Sequence, residues 1–69
     1  MDTGDLVQIW FDTGALGWTI CYGRVIASGP KTYRVRWESG RTNRIRQDDT
    51  NVARVHDVET ATKAMRKVE

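Results

Sequence analysis

Short runs rich in β-branched and aromatic residues, separated by glycine and polar turns, fill the chain up to Asp57. Alternation at a period of two is cleanest at 31–38, and the period changes after Asp57. Alternation of this kind marks half-buried strands. Residues 6–11 predict a first strand, with Val7, Ile9 and Phe11 on one face and Leu6, Gln8 and Trp10 on the other. A loop with two glycines follows at 12–17, and residues 18–27 predict a longer second strand. Gly23 lies inside it, where a glycine marks a bulge or sharp bend. Ser28-Gly29-Pro30 is a turn, because proline cannot donate to a ladder and glycine accepts unusual backbone angles. The third strand, 31–38, is the cleanest, with Tyr33, Val35 and Trp37 alternating with Arg34, Arg36 and Glu38. Ser39-Gly40 turns the chain, residues 41–47 return it, and a polar loop leads to a brief last strand at 52–55. From Asp57, Val58, Ala61, Met65 and Val68 recur at helical steps. Asp57 is placed to cap that helix, and Glu59 and Lys63 form a favourable i,i+4 pair.

Parity sets the direction of the side chains around Gly40. A two-residue loop would put Val35 opposite Arg44 and mix core with charge on both faces. A three-residue loop, Glu38-Ser39-Gly40 with Gly40 left-handed, sets Tyr33 opposite Ile45 and Arg34 opposite Arg44. Tyr33, Val35, Trp37 and Ile45 then share one face. Arg34, Arg36, Arg44 and Arg46 share the other.

Charge sharpens this picture. The 69 residues carry a formal net charge of +2, which alone selects no partner. Its distribution does. Residues 1–23 hold three aspartates and no base, whereas residues 24–46 hold Arg24, Lys31, Arg34, Arg36, Arg41, Arg44 and Arg46 against Glu38 alone. Arginine bonds phosphate in bidentate fashion and stacks on rings, so this block predicts a face for anions. A chain of this length buries only about 60% of its unfolded surface and holds one small domain. Residues 1–56 form the sheet unit and residues 57–69 the helix, packed on it or extending from it. The acidic opening, Met1-Asp2-Thr3-Gly4-Asp5, is unlike the basic start of a signal peptide. No apolar run reaches the ~20 residues that cross a bilayer. The single cysteine, Cys21, allows no intrachain disulfide and suits a cytoplasmic setting.

Five short strands with a central hairpin describe an SH3-like barrel. Gly4-Asp5-Leu6-Val7, Tyr22-Gly23-Arg24-Val25-Ile26 and Tyr33-Arg34-Val35-Arg36-Trp37-Glu38-Ser39-Gly40, followed by Arg44-Ile45-Arg46-Gln47-Asp48-Asp49, resemble the Tudor, chromo-barrel and Agenet group over residues 4–55. The expected fold is thus mainly β, a five-stranded SH3-like (Tudor-like) barrel with a short C-terminal α-helix. The resemblance implies a binding domain without catalysis, for methylated peptides, nucleic acid or other proteins. Methyl-ammonium readers use an aromatic cage, for which Trp10, Trp18, Tyr22, Tyr33 and Trp37 are the candidate walls. Tyr33 and Trp37 fall on the inferred core face, and the basic surroundings disfavour a cationic ligand.

Chemistry that would argue for an enzyme is missing from the pattern. Cys21 and His56 are the only strong soft-metal ligands, too few for a structural zinc site, and no cofactor is expected. His56 has no partner for acid–base work, Asp48-Asp49 reads as a turn cap, and no phosphate loop or nucleophile elbow occurs. The favoured expectation is nucleic-acid binding, DNA or RNA, by Arg34, Arg36, Arg44 and Arg46. Arg24 and Lys31 stand nearby, and Trp10 and Trp18 are candidates for base stacking. The alternative is a protein–protein interaction module, an accessory or inhibitor protein of the kind phages and mobile elements encode. It would dock an acidic protein or a modified peptide, and a homodimer is a third option.

Overall fold

Alternating β-branched and aromatic residues build five strands in the computed structural model, which describes all 69 residues. They are β1 (Leu6–Asp12), β2 (Trp18–Ser28), β3 (Thr32–Trp37), β4 (Thr42–Arg46) and β5 (Val52–Arg54). A short 3₁₀ turn at Gly14–Leu16 joins the first two, and one helix, α1 (Val58–Met65), ends the fold. All strand pairs are antiparallel, in the order β4-β3-β2-β1-β5. The protein is mainly β, and its sheet is compatible with a small barrel. No helix is long and apolar enough to cross a membrane.

One apolar cluster draws on every strand. Val7, Val25, Tyr33, Val35, Trp37 and Val52 form it, and Met1, Ile9, Cys21 and Ile45 pack against it. A single sheet can reach one cluster from all five strands only by bending around it. The bend has a visible device. β2 pairs with β3 in one register through Val25–Val35 and in another from Ala27–Arg34 onward, so Ile26 is an extra residue in the ladder. Such a bulge increases twist and curvature.

Gly23 has a different task from the one its sequence context suggests. The bulge lies beyond it, and Gly23 instead permits close approach of β3. A Cβ at this position would stand 2.6 Å from Val35 Cγ1 and 2.7 Å from Trp37 Cε3. The hairpin loop has the expected odd length. Gly40 adopts φ +90°, its N–H donates to Trp37 O at 2.8 Å, and Trp37 N–H donates to Arg41 O at 2.8 Å. Tyr33 opposes Ile45 and Arg34 opposes Arg44.

The helix begins where its cap predicts. Asp57 Oδ1 accepts from Thr60 N–H at 3.1 Å and Oδ2 from the Thr60 hydroxyl at 2.6 Å. These bonds favour the carboxylate and hold Asp57 below its ordinary pKa. Ala61 and Met65 are fully buried, yet they stand outside the Val7 cluster. α1 packs on β2 and β1, against the face turned away from that cluster. The cover explains an unexpected burial. Gln8, on the outer face by alternation, is only 7% exposed. Val58, by contrast, is exposed, so the docked stripe starts one turn later than the apolar pattern suggests.

Candidate functional site

The register of β2, β3 and β4 sets the arginines in rows on the outer face. Arg24 opposes Arg36, which opposes Thr42. Beside them, Ala27, Arg34 and Arg44 form a second row, and Thr32 and Arg46 a third. At the usual rise per strand residue the band from Arg36 to the Thr32 row is about 13 Å long. Two like-charged pairs, Arg24–Arg36 and Arg34–Arg44, are directly opposed, an arrangement that destabilises a sheet.

Carboxylates answer only part of this charge. Arg46 Nη2 meets Asp48 Oδ2 at 3.0 Å, but both side chains are exposed, and such pairs contribute about 0–1 kcal/mol. Arg24 is differently committed. Its Nε meets Glu69 Oε1 at 2.5 Å and its Nη1 donates to Gly4 O at 2.9 Å. It therefore ties the end of the chain to β2, which reduces its freedom to serve a ligand. Arg34, Arg36, Arg44 and Lys31 have no ion-pair partner. Arg34, Arg44 and Lys31 are exposed and Arg36 is half-buried.

The surface between these cations is not flat. A concavity of about 250 Å³ has Ser28, Thr32, Arg34 and Arg44 on its walls. A second, of about 480 Å³, has Lys31, Thr32, Arg46 and Gln47. Thr32 stands between the two, and sequence pattern alone did not single it out. The hydroxyls and guanidinium groups offer hydrogen-bond donors suited to phosphate or carboxylate oxygens.

Other candidates are placed apart. Trp10 and Trp18 are exposed, at 57% and 68%, and lie on the same sheet face as the arginines by alternation. Six residues separate Trp18 from Arg24 along β2, about 20 Å at strand rise. Trp10, Trp18 and Tyr22 lie on the outer face and Tyr33 and Trp37 in the core, so the five rings do not line one cage. Tyr33 and Trp37 are buried in the core, where Trp37 Nε1 donates to Asn43 Oδ1 at 3.0 Å. Burial raises the Tyr33 pKa, with a smaller contribution from Asp49.

On the core side, an open groove of about 320 Å³ runs past Ile9, Phe11, Cys21, Trp37 and Ile45 to Arg41. β5 reaches only to Ile9 along β1, so Phe11 has a cross-strand neighbour on β2 alone. Desolvation, then the Glu38 carboxylate, pushes the Cys21 thiol above its ordinary pKa. His56 is exposed between β5 and α1. Asp49 Oδ1 accepts from Asn51 N–H at 2.8 Å, the turn-capping role expected of an aspartate there. Comparison with protein-family models, with curated proteins and with solved structures gives no match to this chain.

Proposed function

We propose that this protein is a binding module without catalytic activity, an SH3-like barrel of the Tudor-like group, whose arginine band holds the phosphate backbone of a nucleic acid. The observation that carries the reading is the pair Arg34–Arg44. Two exposed guanidinium groups are directly opposed, lack any carboxylate partner and flank a concavity. Like charges held side by side are costly in an unliganded sheet and favourable once an anion lies between them. Arg36, Arg46 and Lys31 extend the contact along the band. Arg24 contributes mainly to the fold through Glu69. Backbone contacts of this type carry no base sequence, so the expected binding is largely independent of sequence.

Electrophoretic titration with duplex DNA, single-stranded DNA and RNA at several salt concentrations tests the reading. If four phosphates of a duplex are neutralised, the log–log salt slope is near −3.6. Replacing Arg34 and Arg44 by alanine removes two of these contacts and flattens the slope by about 1.8. An unchanged slope in that double variant takes the pair off the contact surface. Failure of the parent protein to bind any of the three nucleic acids refutes the reading and transfers the band to an acidic protein partner.

A further inference from the structure

The ribbon formed by β1 and β2 extends past the rest of the sheet. β5 covers β1 only from Val7 to Ile9, and β3 covers β2 only back to Gly23. Beyond those points the two strands pair with each other alone, from Trp10–Ile20 to Asp12–Trp18. An isolated two-stranded ribbon is at best marginally stable in water. This one also exposes its largest apolar groups, Trp10, Trp18 and, at the tip, Leu16, which is 89% exposed. Trp10 and Trp18 share a face as diagonal neighbours, because Trp18 opposes Asp12 two residues along from Trp10.

We propose that this ribbon is a self-association surface, which packs against the same ribbon of a second copy about a two-fold axis. Charge selects the occupant. From Val7 to Gly23 the only charged residue is Asp12, so the ribbon offers no cation to a phosphate backbone and no charge pattern to a basic or acidic partner. Each face carries one carboxylate, Asp12, which accepts from Gly14 N–H of its own loop at 2.7 Å, so a second copy brings only that single like charge. The apolar area supplies part of what a dimer needs. The exposed parts of Trp10, Leu16 and Trp18 amount to roughly 400 Å², about half of the ~800 Å² that each partner of a standard interface buries. Half-buried Ile20 and the unpaired backbone edges of the ribbon are placed to supply more. The arginine band lies at the other end of the sheet, so pairing leaves it free.

Sedimentation equilibrium of the nuclease-treated full chain tests this. A concentration-dependent dimer is expected. Trp10→Ser with Trp18→Ser raises its dissociation constant at least about 100-fold, since buried tryptophans dominate interface energies and each occurs twice. Leu16→Asp, a change at a solvent-facing turn that cannot disturb the core, has the same direction of effect and serves if the tryptophan variant unfolds. Arg34→Ala with Arg44→Ala, and Val58→Ser at the exposed start of α1, leave the dimer intact. A protein that stays monomeric to about 1 mM, a dimer that survives both ribbon variants, or one dissociated by Val58→Ser overturns the proposal.

Discussion

A methyl group added at Gly23 tests how tightly β2 and β3 approach each other. Gly23→Ala places a carbon 2.6 Å from Val35 Cγ1, 2.7 Å from Trp37 Cε3 and 3.0 Å from the Arg36 carbonyl oxygen. Carbon pairs prefer about 3.5–4.0 Å, so two neighbours must each withdraw by about 1 Å. Val35 is fully buried, and any shift of Trp37 toward the groove strains its hydrogen bond to Asn43. Overpacking of this kind costs about 1–3 kcal/mol. Loss of glycine from the unfolded chain works in the opposite direction by about 0.4–1 kcal/mol. A net destabilisation of about 1–2 kcal/mol follows, a large share of the roughly 3–10 kcal/mol expected for a domain of this size. The thermal midpoint should fall by roughly 5–15 °C. In urea the transition midpoint should fall with the slope unchanged. Val35→Ala opens space for the methyl, so the double variant should be more stable than the two single effects added together. A Gly23→Ala protein as stable as the parent, or additive effects in the cycle, would refute the close packing assigned here.

Met65→Ala removes a fully buried side chain beneath α1 and should cost about 2–5 kcal/mol. Because Met65 stands outside the Val7 cluster, amide exchange should accelerate first in α1 and along the covered parts of β1 and β2, leaving β3 protected longest. A global loss of protection at one rate would contradict this division. Acid should act on the helix through Asp57, whose pKa is depressed by Thr60. The depressed value means that its contribution is present above the ordinary aspartate pKa and is lost as pH falls through the folded one. Asp57→Asn should therefore flatten the acid limb of a helix-reporting circular dichroism titration, and an unaltered limb would count against the cap. Asp5, depressed first by the Asp2 N–H and also by Arg54, titrates in the same direction and calls for Asp5→Asn as the control.

The strands and the parity of the central hairpin were legible in the sequence because both rest on local rules. Alternation at a period of two exposes the inward set Tyr33, Val35 and Trp37, and the glycine needed at a left-handed position pins the loop at Gly40. Once the register was known, the shared face of Arg34, Arg36, Arg44 and Arg46 followed without any long-range information. Asp57 as a cap was legible for the same reason, since capping acts within one turn. Tertiary structure decided what depends on neighbours distant in the chain. It placed the bulge at Ile26 rather than Gly23, because the bend is set by how β2 must wrap the core. It buried Gln8 and spared Val58, because the angle at which α1 docks determines the stripe that meets the sheet. It tied Arg24 to Glu69, forty-five residues away, and left Arg34 and Arg44 without carboxylates. It also set Trp10 and Trp18 on a ribbon beyond the reach of β3 and β5. Periodicity reports which way a side chain points, whereas what stands opposite it depends on the path of the whole chain.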